Sequence, residues 1–197
     1  MQRFVRWQNQ DQFASTVPFS LKDLLVSELR VVQGLFHEAT EDMTQEEASW
    51  QPHEDMEPVC WIIEHVTFSM DLFNKSNAGE FVLSHRPKHI RWEQKQNGWN
   101  PIWPKPGDTY LPLPELLKKM DRVFESAFEV IERLDEPSLW AVPPFAEAFA
   151  EEYPGFLSGL CPAQLLSLQH SHMHHHLRQI YMLLGRLGKG VEKWPYA

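Results

Sequence analysis

The chain has 197 residues, 43% of them hydrophobic and 12% aromatic, enough for one substantial core and too few to suggest a second domain. Its formal net charge of −9, without any run of Lys or Arg, argues against nucleic acid as the main partner, because phosphate binding needs a positive patch. The two cysteines, Cys60 and Cys161, lack a C-x-x-C spacing, so no disulfide framework is expected and a reducing cytosol is the default compartment.

The first residues, "MQRFVRWQNQDQFASTVP", lack the uninterrupted apolar stretch of a secretory signal. No window approaches the roughly 18 apolar residues of a membrane span, so the expectation is a cytoplasmic protein without a membrane partner. Ser20, with Asp23 three residues on, then sets up a capping box. Behind it Leu24, Leu25, Leu29, Val32 and Leu35 keep helical spacing, which predicts a first amphipathic helix over about 20–39. Thr44 and Glu47 repeat the box in "MTQEEASWQP", but Pro52 leaves room for only a short helical turn.

From Glu57 to Lys75, Val59, Ile62, Val66, Met70, Leu72 and Phe73 form a broad apolar face, and Pro58 suits the first turn. This second long helix carries His65. Residues 78–112 hold five prolines and three tryptophans with no sustained period, and read as a long irregular excursion. Trp92, Trp99 and Trp103 would be costly to leave in water, so the excursion is expected to be ordered and to cover the core. Pro114 opens a third helix to Leu134, with Leu116, Leu117, Met120, Val123, Phe124, Ala127, Phe128, Ile131 and Leu134 in phase. A second irregular link, acidic and aromatic, leads to Pro162, which starts a fourth helix stopped by Gly188. Four long helices and no strand pattern predict an all-α fold, a four-helix bundle of up-and-down or crossover type forming a single domain over 1–197, with its core at about 20–188.

Five of the ten histidines fall between His170 and His176, inside that last helix. On a helical wheel, Leu165, Met173, Ile180, Leu183 and Leu187 surround one apolar centre. His172 and His176 lie within about 60° of it, while His170 and His174 lie about 100° or more away and His175 further round. Two imidazoles stacked one turn apart in an apolar seam are hard to satisfy by hydrogen bonds alone, and a shared metal ion removes that cost. His65 occupies the middle of the apolar face of its own helix and is the natural third ligand.

Each residue also has a plainer reading. His65 alone would be a hydrogen-bonded core histidine, and the cluster alone a solvated, pH-sensitive face with no specific metal. Glu64 and Asp71 are candidate oxygen ligands or bases, but their wheel positions favour a solvated role. Cys60 points elsewhere on its helix and reads as an ordinary buried thiol. No Ser/His/Asp or Cys/His arrangement and no Gly-rich phosphate loop is evident, so no catalytic side chain and no nucleotide site is assigned.

The short turn "MTQEEASWQP", the helix "WIIEHVTFSMDLF", and a final helix with His-x-x-x-His before Gln and a closing "LLGRLG" together resemble the DinB/YfiT-like metal-binding four-helix bundle family, the DinB superfamily. The resemblance runs from about Ser20 to Gly188. It implies a metal triad of one histidine on the second helix and two, four apart, on the fourth, and His65, His172 and His176 fill those places. The family's frequent "HRGQ" reads "HLRQ" here, with Arg178 in the glycine place, which leaves the ligand set intact but questions a close backbone approach at that turn. More distantly, the family resembles thiol-dependent isomerases and S-transferases and the bundle domain of ergothioneine-building enzymes.

Three neutral imidazoles leave a divalent ion with one or more open positions, the layout of a catalytic site, and zinc or nickel suits nitrogen ligands. The leading expectation is a metal-dependent thiol S-transferase-like enzyme that activates a low-molecular-weight thiol toward an electrophile. The alternatives are a metal-dependent hydrolase, or a non-catalytic metal-containing bundle that binds a small molecule or a partner chain. The small-molecule substrate is not specified by any motif, and the amphipathic faces leave room for a homodimer.

Overall fold

The computed structural model describes residues 20–77, 91–95, 98–102, 108–142 and 159–189. The expectations for 78–90, for Trp103 and for 143–158, and for the side chains of Leu72, Trp92 and Trp99, lie outside the described residues.

Helix α1 (Leu21–Thr40) begins at the capping box read from the sequence: Ser20 Oγ accepts from the Asp23 N–H at 3.2 Å, and Asp23 Oδ2 accepts from the Ser20 N–H at 2.9 Å. Two donors that helix formation would strand are satisfied reciprocally, worth about 1 kcal/mol. The same device at Thr44 and Glu47 starts the short α2 (Gln45–Ser49). Helix α3 (Val59–Asn77) follows Pro58, whose carbonyl accepts from the Ile62 N–H at 3.1 Å. Helix α4 (Leu113–Arg133) carries Pro114 in its first turn, and its Leu113 N–H donates to Gln45 Oε1 at 2.6 Å, tying it to α2. A short α5 (Glu136–Trp140) is capped by Asp135, which accepts from the Ser138 N–H at 2.8 Å.

Helix α6 (Pro162–Arg186) closes on Gly188, whose φ of +71° lies in the left-handed region. The Gly188 N–H reaches the Gly185 carbonyl and the Lys189 N–H reaches back to that of Leu184, at 3.2 and 3.0 Å. Such a stop needs a residue without a Cβ penalty at positive φ. Lys189 Nζ then pairs with Glu47 Oε2 at 2.6 Å and anchors this end beside α2.

Two features depart from the sequence pattern. The long link between α3 and α4 contains an antiparallel hairpin, β1 (Arg91–Lys95) against β2 (Gly98–Ile102), with Arg91 opposite Ile102 and Lys95 opposite Gly98. It escapes periodicity because neither strand alternates apolar with polar residues and Pro101 interrupts the second. The second irregular link begins with the helical turn of α5.

The long helices form a ring in which α1 packs on α4 and α6, and α3 also packs on α4 and α6. Among the long helices described, α1 and the next, α3, thus stand at opposite corners, as do α4 and α6, so the bundle is of the crossover kind. Between them lie Leu29, Val32 and Phe36 of α1, Ile62, Val66 and Met70 of α3, Leu116, Met120, Phe124 and Ile131 of α4, and Leu166, Met173 and Ile180 of α6. Each such side chain contributes about 1.5–3 kcal/mol by leaving water. Leu24 is 41% exposed, and Phe36 takes the core position one turn beyond Val32. Among the described residues no helix is long and apolar enough to cross a membrane.

Candidate metal centre

The contact between α3 and α6 brings His65 opposite His172 and His176, which share one face of α6 because they are four residues apart. His172 Nε2 lies 3.1 Å from His65 Nε2 and 3.0 Å from His176 Nε2. All three ligand atoms fall within 4.8 Å of one another. An imidazole nitrogen offers a single in-plane position, either a lone pair or an N–H, so His172 Nε2 cannot make proper hydrogen bonds to two facing nitrogens at once. A cation at their meeting point removes the conflict. Two nitrogens each about 2.0–2.1 Å from one ion stand about 3 Å apart at a right angle and about 3.4 Å apart at the tetrahedral angle. The two separations made by His172 match the first and come within a few tenths of an ångström of the second, and with all three ligand atoms within 4.8 Å of one another the group could hold a divalent ion after a small closing of the rings.

Burial sets the charge state. His172 and His176 are both held down at about 4, first by burial; His175 adds to this at His172, and His172 and His175 add to it at His176. His65 is pushed well below its ordinary value by burial and then by His176 and His172. All three rings are therefore neutral at physiological pH, the form that donates a lone pair to a metal.

The surroundings fix the rings. His176 Nδ1 donates to Gln179 Oε1 at 2.5 Å, which commits its Nε2 to the lone-pair tautomer. Gln179 Nε2 in turn donates to Glu57 Oε2 at 3.4 Å. Glu57 is 6% exposed, and burial raises its carboxyl above the ordinary range, against the pull of its own backbone N–H and of His175. Trp61, one turn before His65 on α3, stacks on the His65 ring with centroids 4.8 Å apart and planes 6° from parallel. Among the described residues the Nδ1 atoms of His65 and His172 are buried without a hydrogen-bond partner.

The structure thus brings together the three histidines singled out from the sequence. His170 and His174 stay on the flank and contact each other, and His175 is exposed. Glu64 corrects the reading that gave it a solvated role: it is 1% exposed and faces α4, where Lys119 Nζ lies 3.5 Å from its Oε1. The wheel failed there because α3 is covered on two sides, by α4 and by α6, and so buries more than one face. Asp71 is half-buried. Cys60 is buried, within reach of Gln45 and Ser49, and burial raises its thiol above the ordinary value; it and Cys161 are both free. Arg178 is exposed and helical, so the missing glycine leaves α6 uninterrupted. Sequence reasoning missed Glu57 and the Trp61 stack. The four-residue step from Trp61 to His65 was a usable signal for the stack, but nothing local pointed to Glu57, whose partner lies 122 residues away.

Fold and site together define a helical bundle whose three-histidine group, between α3 and α6, can hold a metal ion. A family model described as the DinB superfamily matches residues 28–180, a span that contains all three histidines, and the chain belongs to that superfamily. Among solved structures it is similar to the crystal structure of a conserved protein from Enterococcus faecalis, with a TM-score of 0.62 and 15% identity. That likeness covers 82% of this chain and 94% of the other and speaks for the fold alone. Among curated proteins none matches.

Proposed function

We propose that this protein is a divalent-metal-dependent enzyme of the thiol S-transferase type, using zinc or nickel and a low-molecular-weight thiol as co-substrate. The observation that carries the reading is the convergence of the His65, His172 and His176 Nε2 atoms in neutral form. A divalent ion held there by three imidazoles supplies Lewis acidity and lowers the pKa of a thiol or water that reaches it. His65, His172 and His176 provide the lone pairs, Gln179 and Glu57 hold the His176 ring in register, and Trp61 fixes the plane of His65. The thiol has to come from solution, since both cysteines of the chain are buried and the Cys60 thiol is raised rather than activated. In favour of a thiol reaction stands also the family resemblance read from the sequence.

The test is a screen of the metal-loaded full chain against low-molecular-weight thiols and electrophiles, following loss of the free thiol, with His176→Ala alongside. Metal-dependent consumption of thiol that disappears in His176→Ala is the expected result. Thiol binding without turnover would overturn the transferase reading in favour of a non-catalytic bundle, and turnover of esters or amides without thiol would make the protein a hydrolase.

A further inference from the structure

Helix α6 carries a second histidine pair with the same four-residue step, displaced by two positions and therefore turned about 160° around the helix from the inward pair. His170 Nε2 and His174 Nε2 lie 3.1 Å apart, with ring centroids 4.5 Å apart and planes 79° from parallel. Their side chains are turned toward each other at their metal-binding atoms, as those of His172 and His176 are at 3.0 Å. Both rings are half-buried, so they are partly preorganised and still reached by solvent. In neutral form this contact is a single N–H to lone-pair hydrogen bond, which ties up both nitrogens and fixes two side chains on the helix surface.

We infer that His170 and His174 form a second site for a divalent transition-metal ion on the outer flank of α6. The 3.1 Å separation is what two nitrogens about 2.0–2.1 Å from one ion adopt at near a right angle. Imidazole pairs of this kind suit nickel, copper and zinc, and exclude the oxygen-seeking calcium and magnesium. Glu28 lies on α1, the helix that packs against α6, and its charge favours a cation at His174. Arg178, on α6 itself, brings a positive charge toward His174 and acts in the opposite sense. With two imidazoles against three, the outer site is the weaker of the two and exchanges its ion more readily.

Calorimetric titration of nickel(II) into the metal-free full chain tests this. The expected result is two binding events per chain, the second weaker. His170→Ala and His174→Ala each abolish the second event and leave the first, which also reports that the bundle is intact. Glu28→Gln weakens the second event by roughly two- to fivefold, the range of a partly exposed charge pair, and Arg178→Gln strengthens it by a similar factor. In His65→Ala the first event is lost or weakened while the second persists. A single event in the wild-type chain, or a second event that survives both His170→Ala and His174→Ala, would overturn the outer site without bearing on the inner one.

Discussion

Replacing Gln179 by Met keeps the length and volume of the side chain while removing the carbonyl that receives the His176 Nδ1–H. In the metal-free variant the His176 ring recovers by moving its proton to Nε2, where His172 Nε2, 3.0 Å away, can accept it. Metal binding forbids that escape, because Nε2 must then offer its lone pair and the N–H must sit on Nδ1 in a site that is only 6% exposed. A buried donor left unpaired costs about 1–3 kcal/mol, and that cost falls on the metal-bound state alone. Metal affinity should therefore fall by about 10- to 100-fold, the range expected when an outer partner of a ligating histidine is removed. Competition for zinc against a chromophoric chelator measures this, with thermal unfolding of the metal-free protein as the control for folding. Gln179→Glu, which retains an acceptor, should bind zinc more tightly than Gln179→Met. Wild-type affinity in Gln179→Met, or an equal loss in both variants, would refute the assigned role of Gln179.

The metal-free protein should lose stability in acid. His172 and His176 titrate at about 4 when folded and at an ordinary 6.5 when unfolded, and His65 too is held well below its ordinary value, so between these values the unfolded chain binds more protons. The contribution of these rings is complete above about 6.5 and is lost as pH falls through about 4. Urea midpoints measured across that window should drop more steeply for the wild type than for a His65→Leu, His172→Leu, His176→Leu variant; parallel curves would remove the buried neutral rings from the explanation. In the core, Phe124→Ala should cost about 3–5 kcal/mol in urea unfolding, since Phe124 is wholly buried, whereas Met182→Ala, at a site 57% exposed, should stay within about 0.5 kcal/mol of wild type.

Much of this was legible in the sequence because it rests on local chemistry. Ser20 with Asp23 and Thr44 with Glu47 announce helix starts, since the side chains that satisfy the stranded donors are three residues apart. Gly188 announces the last stop because a residue without a Cβ takes the left-handed φ there at no steric cost. The phase of α6 selected His172 and His176, because a four-residue step is also a spatial step. What depends on distant parts of the chain was not legible. The diagonal placement of α1 and α3 is decided by which faces fit across the whole ring, and the burial of Glu64 by Lys119 and the rest of α4 lying over a second side of α3. Glu57 shows no local pattern, and only the fold carries it to Gln179. The contact between His170 and His174 was implied by their spacing but overlooked once the wheel had placed them off the core.

Everything proposed for the site depends on His65, His172 and His176 holding one divalent ion. X-ray absorption at the metal edge, on full-length protein given one equivalent of zinc and dialysed, tests it most directly, with His172→Ala prepared in parallel and its folding checked by thermal unfolding. One retained zinc with imidazole nitrogens at about 2.0–2.1 Å is expected in the wild type, and loss of that zinc in the folded variant. Wild-type protein that retains no metal, or a His172→Ala protein that retains as much in the same environment, would contradict it.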